Sequence, residues 1–368
     1  GGLYAAILLR RLMPEVSVRV TEQNPEGATF GFGVVFSDQA LAFLKADDPE
    51  SYDLIVPHME RWQDMTLALP QETVTLDGIG FTSIGRLELI EILKRRAQDL
   101  GIEIRFETEV TSLDDLEADL VIGADGLNSL VRRSLEEDFR PSIEYFGNHF
   151  AWFGATIPFN SLTQTFVETD KGPLNAHHYR FAPGRSTFIV ECEDETFDRY
   201  GFAGMGEEVS ARLCSEIFSD ILQGTDLVIN KSHWRQFPRL WCESWVARGR
   251  YALLGDAVHT AHFSVGSGTR LAMEDAIALV QALAGHDDLG AALAAYQERR
   301  PPIARKIVDA ANTSANWYES FGEKMRLAPM DFAYDYIMRS GRMTDERLRS
   351  IAPKFAEDYT RHRAAMAS

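Results

Sequence analysis

GGLYAAILLRRLMPEVSVRVTEQN, residues 1–24, is the stretch on which the fold turns. Leu3, Ala6, Ile7, Leu9 and Leu12 give a strongly apolar helix over residues 3–13, closed by Pro14. Val16, Val18 and Val20 then alternate with polar neighbours, a short strand that ends at Glu22. A helix, a tight turn and a strand closing on an acid form the second half of a βαβ nucleotide-binding unit. In such a unit a glycine turn aims helix N-terminal N–H groups at a pyrophosphate, and the acid takes a ribose hydroxyl. Gly2 and Glu22 stand 20 positions apart, and the rule expects the acid about 20 residues on. The first strand and earlier glycines of the turn, about ten residues, are expected to precede Gly1.

Further along, the same alternation returns. FGFGVVF, residues 30–36, is aromatic and glycine-rich. It suits either a hairpin core or a place where backbone approaches a flat ligand closely. Asp47, Asp48 and Pro49 mark a turn. RLELIEIL opens a helix over residues 86–100, followed by an alternating strand through Ile102, Ile104 and Phe106. ADLVIGADG, residues 118–126, is a short apolar run of the kind buried in a parallel sheet, ending in Asp125 and Gly126. Residues 141–240 are richer in Tyr, Phe, Trp and Thr, with segments such as STFIVECE (186–193) that suit a mostly antiparallel sheet. At Tyr251 a buried strand leads through Gly255 and Asp256 into a glycine-bearing turn and a helix over residues 269–284. Beyond it the chain is helical, with a break expected at Pro301 and Pro302.

The expected fold is therefore α/β: a Rossmann-like nucleotide-binding domain with an inserted, mostly antiparallel sheet domain and a helical C-terminal tail. Residues 1–60, 86–140 and 241–320 form the discontinuous first domain, 61–85 and 141–240 the substrate domain, and 321–368 the tail. With 368 residues, about two domains are in range. The net charge of −18 argues against nucleic acid, so an anionic ligand must be met by local cations. Cys192, Cys214 and Cys242 are widely spaced and odd in number, which fits neither a disulfide framework nor a metal site and suits a reducing cytoplasm. No apolar run has the length of a membrane span.

Taken in order, the truncated glycine turn with Glu22, Arg86 at a helix start, the pair Asp125–Gly126, and Gly255–Asp256 before a glycine loop are specific. With ADGLNSLVRR and LLGDAVH as its Asp-Gly and Gly-Asp fingerprints, the chain resembles the single-component FAD-dependent aromatic hydroxylases, the para-hydroxybenzoate hydroxylase-like family. The likeness runs to about residue 320. FGFGVVFSD, STFIVECEDETF and AHFSVGSGTRLAMEDA look most like the branch acting on aromatic acyl-CoA thioesters such as salicylyl-CoA and 2-aminobenzoyl-CoA.

The resemblance implies that Gly2 is the last glycine of the FAD turn, that Glu22 binds the adenosine ribose and that Val110 meets the adenine. It implies that Arg86 reaches the phosphate and ribityl region, that Asp125 and Gly126 help hold FAD and the reduced nicotinamide, and that Asp256 takes the ribityl chain. Gly266, Ser267, Gly268 and Thr269 would stand at the pyrimidine edge of the flavin, where helix N-terminal N–H groups stabilise negative charge. The implied reaction is ring hydroxylation through a flavin hydroperoxide, with NADH or NADPH as reductant, dioxygen as co-substrate and no metal.

His177 and Tyr179 share one face of a strand, with His178 on the other. His177 is either a base toward a phenol or a structural histidine. His262 stands where most of the family carries a proline pair; it is either a donor to a substrate carbonyl or a local loop cap. Arg132, Arg133 and Arg140, or Arg235 and Arg239, offer a basic rim for CoA phosphates or a solvated surface. The alternatives to a CoA-ester hydroxylase are a hydroxylase of a free aromatic or indolic metabolite and a flavin-free binding module. A dimer fits either enzyme reading.

Overall fold

In a computed structural model, residues 1–37 and 41–367 are described; Asp38 of the FGFGVVFSD string and Ser368 lie outside them. The first helix is Gly2–Leu12, and the following strand is Arg19–Thr21, shorter than the run of alternating valines because Val16 and Val18 precede the pairing. That strand pairs in parallel with Glu103–Arg105. A second parallel pair, Val121–Gly123 with Tyr251–Leu253, is extended by the antiparallel Val246–Ala247. Around these strands pack the first helix, the helix Arg86–Asp99 and the helix Gly268–Ala284, burying Tyr4, Ile7, Leu89, Leu271 and Leu279 in one core.

The ends of these elements converge. A Cβ on Gly2 would come within 3.2 Å of the Ala124 methyl. The start of the first helix therefore lies against the ends of the Val121–Gly123 and Tyr251–Leu253 strands.

A seven-stranded sheet forms the second layer. Its order runs Arg235–Cys242, Pro141–Ala155, Arg185–Cys192, Gly172–Ala182, Leu162–Thr169, Met65–Ala68 and Thr73–Leu76. Every neighbour is antiparallel except Leu162–Thr169 with Met65–Ala68. One face buries Phe153, Phe188, Val190 and Cys192 under the helices Asp194–Tyr200 and Glu207–Ile217. The other face carries Gln164, His177, Tyr179 and Glu191. A small antiparallel sheet, Gly33–Ser37 with Phe81–Gly85 and Glu60–Trp62, closes the gap to the first layer. The hairpin reading of the FGFGVVF stretch is realised for Gly33–Ser37, which is a strand, and Gly33 lies where a Cβ would meet Phe181 at 2.6 Å.

Two local expectations change. Pro301 and Pro302 do not break the chain, because the helix Leu289–Tyr318 runs through them. Packing outweighs the lost backbone bond: Leu293 and Tyr296 are buried before the prolines, and Ala304, Val308 and Ala311 after them. Asp48 is more than a turn residue. Its carboxylate is fully buried, accepts from Arg11 and Arg96, and caps the helix Pro49–Ile55 at Ser51 N. Among the described residues no helix is long and apolar enough to cross a membrane.

The two long helices are locked by one carboxylate. Asp275, fully buried, accepts from Arg300 Nε at 2.7 Å on Oδ1, and from Gly255 N and His259 Nε2, both at 2.9 Å, on Oδ2. Burial alone would raise its pKa, but His259, Arg300 and the Gly255 N–H outweigh that and hold it below the usual range. Asp275→Ala leaves Arg300 buried without its strongest partner and is expected to cost about 3–5 kcal/mol in urea unfolding at pH 7. A loss under about 1 kcal/mol would show the network to be dispensable.

Candidate active site

Glu22 follows the end of the Arg19–Thr21 strand, where its Oε1 accepts from Asn24 N at 2.8 Å and Asn24 Nδ2 at 2.6 Å. The backbone runs beside residues 107–110 through Thr108 N to Glu22 O, so the half-buried Val110 is brought near Glu22. Asp125 is exposed after the Val121–Gly123 strand. Its Oδ2 accepts from Leu130 N at 2.7 Å and Val131 N at 3.3 Å, so this carboxylate organises the turn and its helix as well as facing outward. Gly126 O closes the turn by accepting from Ser129 N.

Asp256 sits in the turn after Tyr251–Leu253. Its side chain is solvent-accessible yet surrounded by protein, as expected of a group lining a cleft, and this enclosure pushes its carboxyl pKa up. Among the described residues nothing donates a hydrogen bond to it. Arg86, first residue of its helix, lies in the same cleft with its guanidinium 4.0 Å from the Phe30 ring centroid. Arg235 approaches the same ring at 5.9 Å. Neither arginine has a carboxylate partner among the described residues, although each is partly enclosed.

The glycine loop supplies donors of another kind. His262 Nδ1 accepts from Ser264 N at 3.3 Å, the chain turns through Phe263–Val265, and Gly266 takes φ 61° with Val35 against it. That φ, with a Cβ 3.0 Å from Val35, leaves glycine as the residue that fits. The helix Gly268–Ala284 then starts without a side-chain cap at Ser267, so the first-turn N–H groups are open. Residues 263–270 are all half-exposed, and at Gly268 a Cβ would meet nothing within 4 Å.

This donor set fits a flavin dinucleotide. It offers an acid after the first parallel strand, unpaired arginine in the cleft, a carboxylate awaiting hydroxyl donors, and uncapped helix N–H groups beside a glycine loop.

Against that loop lies the polar face of the large sheet. His177 is 5% exposed; its Nδ1 accepts from Gln164 Nε2 at 2.9 Å, and its Nε2 donates to Glu191 Oε2 at 3.0 Å. Burial drives the imidazole pKa down to about 3. Both ring nitrogens are therefore occupied in the neutral form, which leaves neither open as a base. Tyr179 donates to Gly33 O at 3.0 Å, and burial pushes its pKa up. His178 points to the opposite face, against Phe159 and Phe188. His262 is 3% exposed, packed edge-on to Phe146 and Phe237, with its pKa lowered to about 4 by burial. Its Nδ1 makes the local cap, so only Nε2 remains for a ligand.

Several residues of this face escaped the sequence reading. Glu191, 1% exposed with its pKa raised by burial, also accepts from Asn148 Nδ2 at 3.0 Å. Tyr318 OH lies 3.4 Å from Gln164 Oε1 and donates to Tyr336 OH at 3.1 Å. Arg339 donates to Ser264 O from the tail. An acid in the middle of the apolar STFIVECE run was the available signal for Glu191; nothing local marks the others. Of the suggested basic rim, Arg132 is withdrawn: it is buried, donating to Ala257 O and Leu127 O. Arg140 and Arg239 are paired with Glu243 and Glu144.

Fold and site define a flavoprotein with a Rossmann-like core. The FAD binding domain family matches residues 113–311. Salicyloyl-CoA 5-hydroxylase of a Streptomyces species is 38% identical over 354 residues, covering 92% of this chain and 68% of that protein. A 3-hydroxy-4-methyl-anthranilyl-(aryl-carrier protein) 5-monooxygenase of Streptosporangium sibiricum is 33% identical over 341 residues, covering 93% and 92%. The solved structure of tetrameric 2-methyl-3-hydroxypyridine-5-carboxylic acid oxygenase shares the fold, with a TM-score of 0.69 at 20% identity over 95% of this chain and 94% of that one. The chain belongs to the FAD-dependent aromatic monooxygenase family and is such an enzyme.

Two outcomes are expected. Arg86→Ala and Asp256→Ala should each raise the FAD dissociation constant about tenfold or more, read by flavin fluorescence quenching; unchanged affinity would remove them from the cofactor site. His177 and His262 have native pKa values far below the 6.5 of an open imidazole. The unfolded chain thus takes up protons that the native state refuses. Their stabilisation is complete above pH 6.5 and declines as pH falls toward the native values, by up to about 1.4 kcal/mol per pH unit for each group. Urea midpoints between pH 7.5 and 5 test this, and a flat profile would refute it.

Proposed function

We propose that the enzyme hydroxylates an activated aromatic ring carried as an acyl thioester, salicylyl-CoA being the representative substrate, with NADH or NADPH as reductant. The observation that carries this reading is the 38% identity with a salicyloyl-CoA 5-hydroxylase across 92% of the chain. The carrier-linked aromatic acyl group in the second relative's name supports the thioester class.

In this reading residues 1–60, 86–140 and 241–320 hold the cofactor, and residues 61–85 and 141–240 contribute the substrate wall. Gly2 closes the FAD turn, Glu22 and Val110 hold the adenosine, Arg86 reaches the phosphate and ribityl region, Asp125–Gly126 help hold FAD and the reduced nicotinamide, and Asp256 takes the ribityl chain. FAD supplies the electron transfer and dioxygen activation when bound. The protein's own share is placement and exclusion of water. The open N–H groups of Gly268 and Thr269 stabilise negative charge on the neighbouring ring system without side-chain bulk.

Phe150, Phe237 and Phe263 form an apolar cluster beside His262 and His177. A planar substrate fits against such a wall by edge and face contacts. His262 Nε2 serves as the polar contact to the substrate, and the Glu191–His177–Gln164 chain keeps the wall in one arrangement. His177 and Tyr179 thus act as positioning residues.

FAD-loaded protein is expected to consume NADH or NADPH and oxygen with salicylyl-CoA and to yield a hydroxylated CoA ester by mass spectrometry, with little turnover of free salicylate. Turnover of free aromatic or indolic acids with no response to any CoA ester would replace the thioester reading with the free-metabolite one.

A further inference from the structure

A separate cleft of about 540 Å³ opens between the helix Ala42–Asp47 and the strand Glu60–Trp62. That is within the range of small-ligand sites. Its chemistry differs from that of the flavin cleft. Lys45 and Arg61 both line it, both are exposed, and neither has an ion-pair partner among the described residues. Among the described residues no carboxylate is part of the lining. On a chain of net charge −18, two cations without an ion-pair partner in one concavity give a local positive site that an anion would satisfy.

The remaining lining is suited to a flat heterocycle. The Tyr52 ring lies 5.5 Å from Lys45 Nζ, and Trp62 forms part of the wall beside the exposed amide of Gln63. Trp62 is 6% exposed, and its buried indole N–H has no hydrogen-bond acceptor among the described residues.

Position connects this cleft to the active site. The far side of Trp62 packs edge-on against Tyr179, with ring centroids 6.3 Å apart, and Tyr179 is tied to Gly33 on the substrate face. Val35, which packs with the Trp62 cluster, is also the residue against Gly266 of the flavin loop. One aromatic pair thus separates the basic cleft from the active-site wall.

We propose that the Lys45–Arg61 cleft binds the phosphorylated adenosine arm that an acyl-CoA and a reduced nicotinamide dinucleotide have in common. This rests on the reading of the enzyme as an NAD(P)H-dependent hydroxylase of a CoA ester. Lys45 and Arg61 hold the phosphates, and Tyr52 and Trp62 line the base.

The test uses the FAD-loaded full chain and the double variant Lys45→Glu/Arg61→Glu, whose exposed positions leave the core untouched. Calorimetric titration with coenzyme A and, separately, with NADH and NADPH is expected to show about tenfold or greater weakening for one of the two ligand classes at low salt, shrinking as salt is added. The class that weakens identifies the source of the arm. A control of equal charge change on an outlying helix and loop, Lys306→Glu/Arg326→Glu, should bind as the parent does. Unchanged affinity for both classes, no measurable binding of either class by the parent, or equal weakening in the control overturns the site. Parent enzyme that turns over salicylyl-CoA while the double variant binds both ligands normally overturns this cleft and leaves the thioester substrate standing. Parent enzyme that ignores every CoA ester, with NADH weakened in the variant, does the reverse.

Discussion

Asp275 is the constraint on which the rest of the site depends. One buried carboxylate receives the Gly255 N–H, the His259 imidazole and the Arg300 guanidinium, and so fixes a strand end, a loop and two long helices relative to each other. Taking so many polar groups out of water is costly, and the cost is met only because both oxygens of Asp275 are engaged. The Gly255–Asp256 turn, the His262 cap and the glycine loop all hang from this junction. Arg300 also holds Leu271 O in the first turn of the flavin-side helix, at 3.3 Å. The open N–H groups of that helix are therefore held in place before any ligand arrives.

The substrate face is governed by neutralisation through burial. His177, Glu191 and His262 are close enough to influence one another, and burial disfavours the charged form of each. The result is a wall of polar groups that hydrogen-bond in their uncharged or paired states and keep fixed positions, with aromatic rings between them. In the proposed reading such a wall orients a planar substrate and keeps bulk water away. It does not offer a base poised near neutral pH.

Charge is distributed in the opposite sense around the ligand clefts. The chain is strongly acidic overall, and exposed arginines such as Arg140, Arg199 and Arg248 are matched by carboxylates. Arg86 and Arg235 around Phe30, and Lys45 and Arg61 in the outlying cleft, are not matched. In the proposed reading an anionic ligand is met locally by these cations, since the overall field repels anions.

The sequence by itself determined the alternation of helix and strand in the nucleotide-binding half. Residues 1–24, ADLVIGADG and LLGDAVH carry period and turn chemistry that few other folds accommodate. It also placed His177 and Tyr179 on one face and His178 on the other, since strand geometry allows no other arrangement. Only the tertiary structure decided which partners those residues meet. Glu191 and Gln164 reach His177 across neighbouring strands, and Tyr318 arrives against its ring from a helix more than a hundred residues later. The prolines at 301 and 302 make the same point: local preference argues for a break, and burial on both sides of them carries the helix through. Periodicity is written in neighbours along the chain, whereas protonation, pairing and packing depend on contacts between distant segments, which no local pattern encodes.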